Sequence, residues 1–187
     1  MKLKVWTVTS KKMEYETPVY NVYRNEAQSQ DTGIRGDFFV IDAPDWTNVL
    51  AVTPQDEVIL VRQYRHGIEK LTLEIPGGVI DPSDDRPLDA AKRELSEETG
   101  YTSSKWTRLG KVSANPAIMN NWCHLFLAED CRLTDPLNPD AHEELTVHRR
   151  PRKAFLKDVE DGGIHHSLVV AAVAKLGLIK PQWLKKS

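Results

Sequence analysis

Residues 77 to 101 read Gly77-Gly78-Val-Ile-Asp-Pro-Ser-Asp84-Asp85-Arg-Pro87-Leu88-Asp-Ala-Ala91-Lys-Arg93-Glu94-Leu95-Ser-Glu97-Glu98-Thr99-Gly100-Tyr101. Their first part has the turn residues of a loop, and their second part has the spacing of a helix. Pro87 suits the first helical turn, where its missing N–H is not needed, and Asp84 or Asp85 just upstream can cap the exposed amides. Leu88, Ala91 and Leu95 recur at three- and four-residue spacing and form a buried stripe. Gly100 supplies a left-handed stop. On such a helix Glu94 lies three residues before Glu97 and four before Glu98, so the three carboxylates project toward one patch of space. Their mutual repulsion costs a few tenths of a kcal/mol per pair, roughly, and becomes attraction when a hard divalent cation bridges the oxygens. Arg93 stands four residues before Glu97 and can hold that carboxylate by a forked, two-point contact.

These residues resemble the signature of the Nudix hydrolase superfamily, G-x5-E-x7-R-E-U-x-E-E-x-G-U, with U an aliphatic or aromatic residue. The match covers Gly78 and then Arg93 to Tyr101. One position departs from the pattern: Asp84 stands where the first glutamate is expected, and eight residues instead of seven separate it from Arg93. Upstream, Arg62-Gln63-Tyr64-Arg65 and Glu74-Ile75-Pro76-Gly77-Gly78 resemble the branch that hydrolyses ADP-ribose and other nucleoside diphosphate sugars, where an R-Q-Y-R strand leads to an E-[LI]-P-[AG]-G turn. That branch also tends to carry a proline about fifteen residues beyond the box, where this chain has Pro116.

The resemblance implies an αβα sandwich and a Mg²⁺-dependent pyrophosphatase, with Mn²⁺ as a substitute metal. It implies Glu94 and Glu98 as direct metal ligands, Glu97 as a further ligand held by Arg93, and the Gly77 carbonyl as an added oxygen. Carboxylate and carbonyl oxygens are what a hard cation prefers. A diphosphate shields its P–O–P bond with negative oxygens, so an attacking water needs charge neutralisation, orientation and a base. In the resembling branch a glutamate on a loop often supplies the base, which here makes Asp140, Glu143 and Glu144 the candidates, with Glu143 or Glu144 preferred and a helix glutamate as the alternative. Arg62 and Arg65 either clamp a phosphate or ribose oxygen or are ordinary surface cations. Glu74 either accepts from ribose hydroxyls or partners one of those arginines. Trp46 and Trp122 can stack on a base, although tryptophan is more often core. Pro116 is either part of the substrate site or a turn residue.

Composition sets the outer bounds. A chain of 187 residues, 40% hydrophobic and 28% charged, is ordinary globular usage for one domain with a sizeable core. A formal net charge of −2 offers no global attraction for nucleic acid or an acidic membrane. Cys123, in the apolar run from Trp122 to Ala128, reads as a reduced, buried thiol, and with Cys131 it gives no disulfide framework. The first residues lack the apolar core of a secretory signal, and the run Leu168 to Ala174 is too short to span a bilayer, so a cytoplasmic protein is expected. The His165-His166 pair reads as solvated or capping rather than zinc-binding.

The remaining pattern predicts strands over 3–9, 16–30, 37–42, 49–52, 58–65, 106–114, 122–128 and 145–150, and helices over 153–161 and 165–178. The sum is an α/β (α+β) protein with a mixed sheet flanked by helices and an antiparallel strand region at its N-terminus. Residues 1–48 are read as that strand region and 49–187 as the catalytic part. By resemblance the strand region joins two subunits in a homodimer and helps build the pocket. The expected ligand is a small nucleotide sugar, with GDP-mannose as the alternative to ADP-ribose, and a sensor that binds ADP-ribose without cleaving it as the reading from a different class.

Overall fold

The computed structural model describes residues 5–138 and 144–185. The chain forms two compact units, one of residues 1–44 with 113–122, the other of residues 45–112 with 123–187. The sequence division at 48/49 differs by a few residues at its boundary and did not assign 113–122 to the first unit.

The first unit is a three-stranded antiparallel sheet of β1 (Trp6–Glu16), β2 (Asn21–Ser29) and β3 (Arg35–Asp42), in that order. The pattern predicted one strand over 16–30, but β1 runs on to Glu16 and a turn follows. There the Thr17 hydroxyl accepts from the Val19 and Tyr20 N–H groups and donates to the Tyr20 carbonyl, so the chain reverses. All eleven residues of β1 are exposed. Trp6 packs edge-on against Phe38 of β3 with ring centroids 5.1 Å apart.

The second unit is built on a six-stranded mixed sheet. Its strands are β4 (Trp46–Val52), β5 (Glu57–Arg65), β6 (Lys70–Glu74), β8 (Lys105–Ser113), β9 (Trp122–Glu129) and β11 (Leu145–Pro151). The order is β11-β5-β4-β9-β8, with β6 paired to the far half of β5. β4 and β9 run parallel, and β5 is antiparallel to β4, β6 and β11. From Thr47 to Val52 every β4 side chain is buried, as a central strand covered on both faces requires. Edge strand β11 ends in Arg149-Arg150-Pro151, charges and a proline that discourage further pairing.

Three helices flank this sheet: α1 (Pro87–Thr99), α2 (Arg152–Glu160) and α3 (Ser167–Ile179). α1 buries Ala91 and Leu95 against Val49, Ala51, Ile59, Phe126, Ala128 and Cys131, with Leu88 beside them. The stripe read from the sequence is thus the contact face. The predicted glycine stop is also present, since Gly100 has φ 70° and its N–H returns to the Ser96 carbonyl. The cap differs: Arg86 occupies the N-cap position, and no side chain bonds the first amides. Asp84 is unavailable because its carboxylate is turned to Arg93.

β6 and the short pair β7 (Tyr101–Thr102) and β10 (Arg132–Leu133) were not read from the sequence. α3 starts at Ser167, two residues later than expected, because His166 is its cap. Both cysteines are free and buried.

Candidate active site

The loop from Pro76 to Ile80 lies along the start of β4. Val49 N–H donates to the Pro76 carbonyl at 2.8 Å, and Thr47 N–H donates to the Gly78 carbonyl at 2.8 Å. Only glycine fits this approach: a Cβ on Gly77, whose φ is 155°, would collide with the Thr47 carbonyl and lie 2.8 Å from Asn48 Cα. A Cβ on Gly78 would stand 2.6 Å from Glu94 Oε1. The two glycines therefore bring the loop backbone up to the α1 carboxylates.

Glu98 is 2% exposed, and its Oε2 accepts the Gly77 N–H at 2.9 Å. Glu94 is 8% exposed. Arg93 ties the cluster together. Its Nη1 donates to Glu94 Oε1 and Glu97 Oε2, each at 2.9 Å, and its Nη2 donates to the Val79 carbonyl and to Asp84 Oδ2, each at 3.0 Å. The fork expected toward Glu97 is a single contact there. The two-nitrogen contact goes to Asp84, which also receives Nε at 3.4 Å. Burial works against the Arg93 charge, but hydrogen bonds to Asp84, Glu97 and Glu94 outweigh it and raise its pKa. The Arg93 hydrogen bond in turn holds the Asp84 carboxyl below the usual carboxylate range, against a smaller opposing effect of burial.

The donor set suits a hard divalent cation, since carboxylates and a turn carbonyl are all oxygen ligands. Among the described residues no three His, Cys, Asp or Glu side chains stand together closely enough to hold a metal alone. The hydrogen bonds explain this: Glu98 is turned onto Gly77, while Glu94 and Glu97 share Arg93. Magnesium commonly takes only one or two protein carboxylates and completes its shell with water and substrate phosphate, so the arrangement fits that ion.

Of the other predicted residues, Glu143 and Asp140 lie outside the described residues. Glu144 is exposed and directly precedes β11. The chain before that segment is fastened to α1: Asn138 N–H donates to the Glu97 carbonyl at 2.9 Å, and the Ser96 hydroxyl donates to Asp135 at 2.6 Å. Trp46 starts β4 and bridges to Val79 in the glycine loop, Pro116 belongs to the first unit, and Trp122 opens β9.

The two arginines of the R-Q-Y-R strand separate. Residues three apart on a strand point to opposite faces. Arg65 forks onto Glu74, with Nε to Oε1 at 3.0 Å and Nη2 to Oε2 at 2.7 Å. Glu74 is 1% exposed and also accepts from the Thr72 hydroxyl, so it stands as the arginine's partner, one of the two roles its sequence position left open. Arg62 lines a different groove, of about 460 Å³, with Leu71, Leu73, His148, Arg150 and Gly163, and no box glutamate reaches it. A further groove of about 730 Å³ lies past the end of α1 beside Thr99, Tyr101 and Leu137, again without a box carboxylate. Chemistry and not cavity size therefore locates the candidate site.

Residues 45–163 match the NUDIX domain, and the chain belongs to that family. It is 32% identical over 140 residues to the ADP-ribose pyrophosphatase of Bacillus subtilis (strain 168), covering 74% of this chain and 75% of that one. It is 27% identical over 182 residues to the ADP compounds hydrolase NudE of Escherichia coli (strain K12), covering 97% of this chain and 87% of that one. Among solved structures, a crystal structure of an ADP compounds hydrolase superposes with a TM-score of 0.83 at 25% identity, over 97% of this chain and 98% of the other.

Proposed function

We propose that this protein is a Mg²⁺-dependent hydrolase of the diphosphate bond in ADP-ribose or a related nucleoside diphosphate sugar, giving a nucleoside monophosphate and a sugar phosphate. The observation that carries the reading is the α1 cluster, in which Arg93 holds Glu94 and Glu97 while Glu98 binds the Gly77 turn. The relatives named for ADP-ribose and ADP compounds support the substrate class.

One or two of Glu94, Glu97 and Glu98, with the Gly77 carbonyl, would hold the metal, which supplies charge neutralisation at the diphosphate and acidifies an attacking water when bound. Arg93 fixes two of these carboxylates in direction. Arg65, braced by Glu74, presents a cation to a phosphate or ribose oxygen. Glu144 or Glu143 takes the proton from water, on a segment whose preceding residues are bonded to α1.

The protein acts as a homodimer in the cytoplasm on this reading. Supporting the dimer, β1 presents Trp6, Val8, Met13 and Tyr15 exposed on an edge strand, a combination that natural proteins generally cover. No helix among the described residues is long and apolar enough to cross a membrane. Light scattering after size-exclusion chromatography is expected to give twice the chain mass, and a monomer at micromolar concentration would remove the dimer.

The deciding experiment is phosphate release, coupled to alkaline phosphatase, from ADP-ribose, GDP-mannose, other nucleotide sugars, dinucleoside polyphosphates and nucleoside triphosphates, with Mg²⁺ or with chelator. Metal-dependent cleavage led by ADP-ribose is expected. Leading activity on GDP-mannose would keep the chemistry and change the sugar. Binding of ADP-ribose with no hydrolysis of any substrate would establish a sensor instead.

A further inference from the structure

We infer that His166 is a positioning residue that aims Arg65 through Glu74. The inference rests on the proposed role of Arg65 as a substrate-binding cation. A long arginine side chain on a strand is free to wander unless a partner fixes it, and its fork geometry is useful to a substrate only when its plane is set. Here the partner is Glu74, whose two oxygens take Nε and Nη2 of Arg65. Glu74 is itself 1% exposed, so any slack in its position passes to the arginine.

Glu74 is steadied from two further directions. The Thr72 hydroxyl donates to Oε1 at 2.5 Å, from the same strand. His166 stands beside Oε2 from the start of α3, with Nε2 at 3.7 Å, a distance for electrostatic contact that is longer than a hydrogen bond. The tautomer is decided by the other ring nitrogen: Nδ1 accepts the Leu168 N–H at 3.2 Å as the helix cap, so the proton sits on Nε2 and faces the carboxylate. Burial lowers the His166 pKa against the opposing pull of Glu74, and Arg65 and His165 lower it further, so the ring is neutral near pH 7. One imidazole thus couples the α3 N-terminus to the carboxylate that holds Arg65.

Two substitutions separate the cap from the reach. Asparagine places an acceptor where Nδ1 stands and is a favoured N-cap, but it is too short to present an N–H to Glu74. Glutamine carries its amide N–H about as far as Nε2 but caps poorly. Steady-state kinetics would use the nucleotide sugar that the wild-type protein hydrolyses best. For H166N the expected result is a melting temperature near wild type, KM raised by about threefold or more, and kcat within about twofold. For H166Q it is a lowered melting temperature with KM near wild type.

A wild-type KM in H166N would overturn the proposal, as would KM values in the two variants that simply follow their loss of thermal stability. R65K is the companion variant. An unchanged KM there would show that Arg65 does not bind substrate, a failure of the underlying reading, whereas a raised KM in R65K with a wild-type KM in H166N would sink the His166 role alone. No hydrolysis of any nucleotide sugar by the wild-type protein would bring down the functional reading and this proposal with it.

Discussion

Asp84 Oδ2 accepts from Arg93 Nη2 at 3.0 Å, although the loop between them carries one residue more than the family pattern and an aspartate in place of a glutamate. On its other side Asp84 is held by a turn in which Asp81 N–H donates to Asp84 Oδ2 at 2.9 Å and Asp84 N–H returns to the Asp81 carbonyl at 3.0 Å. The shorter side chain still reaches the guanidinium. The first acidic position therefore orients Arg93 in this structure, and the cap it was expected to supply to α1 is lost.

Acid should weaken the fold through this pair. The Asp84 carboxyl is held below its usual range by Arg93, so its stabilisation is present above the ordinary aspartate pKa of about 4 and is lost as pH falls through the lower folded value. The unfolded chain binds the proton more readily, which fixes that sign. Urea midpoints measured from pH 7 down to pH 3 should fall, and D84N should show a lower midpoint at pH 7 with a shallower decline.

The two loop glycines should fail differently when changed to alanine. At Gly77 the added Cβ meets backbone atoms of Thr47 and Asn48, which cannot step aside, so G77A should lose about 2 kcal/mol or more of stability in urea unfolding. At Gly78 it meets the end of the Glu94 side chain, which can move. G78A should keep nearly all of its stability, within about 1 kcal/mol, and lose about tenfold or more in kcat because Glu94 is displaced.

E98Q keeps an oxygen for the Gly77 N–H and removes the charge. Its circular dichroism and melting curve should match the wild type, while metal-dependent turnover falls by about a hundredfold or more. Turnover at the wild-type level would remove Glu98 from the metal set.

Burial pushes the thiol pKa up to about 12 for Cys123 and about 11 for Cys131. Neither forms appreciable thiolate at pH 8. Ellman's reagent should therefore find no fast-reacting thiol in the native protein and two in guanidinium chloride. Rapid labelling of the native protein would show that the sheet interior opens.

Local spacing specifies nearly all of α1. The stripe of Leu88, Ala91 and Leu95, the Pro87 start, the Gly100 stop and the grouping of Glu94, Glu97 and Glu98 are all consequences of local spacing. The strands over the β5, β8, β9 and β11 regions were legible for the same reason, since alternation and apolar runs are local signals. β6 was missed because Leu71-Thr-Leu-Glu74 is too short to show a period, and it becomes a strand only by pairing with β5. Which carboxylate would answer which cation was not in the spacing. Only the tertiary structure turned the Arg93 fork to Asp84, paired Arg65 with Glu74, and set His166 beside Glu74. These are contacts between segments distant in the chain, and they depend on how strands register and where loops return, which no local pattern encodes.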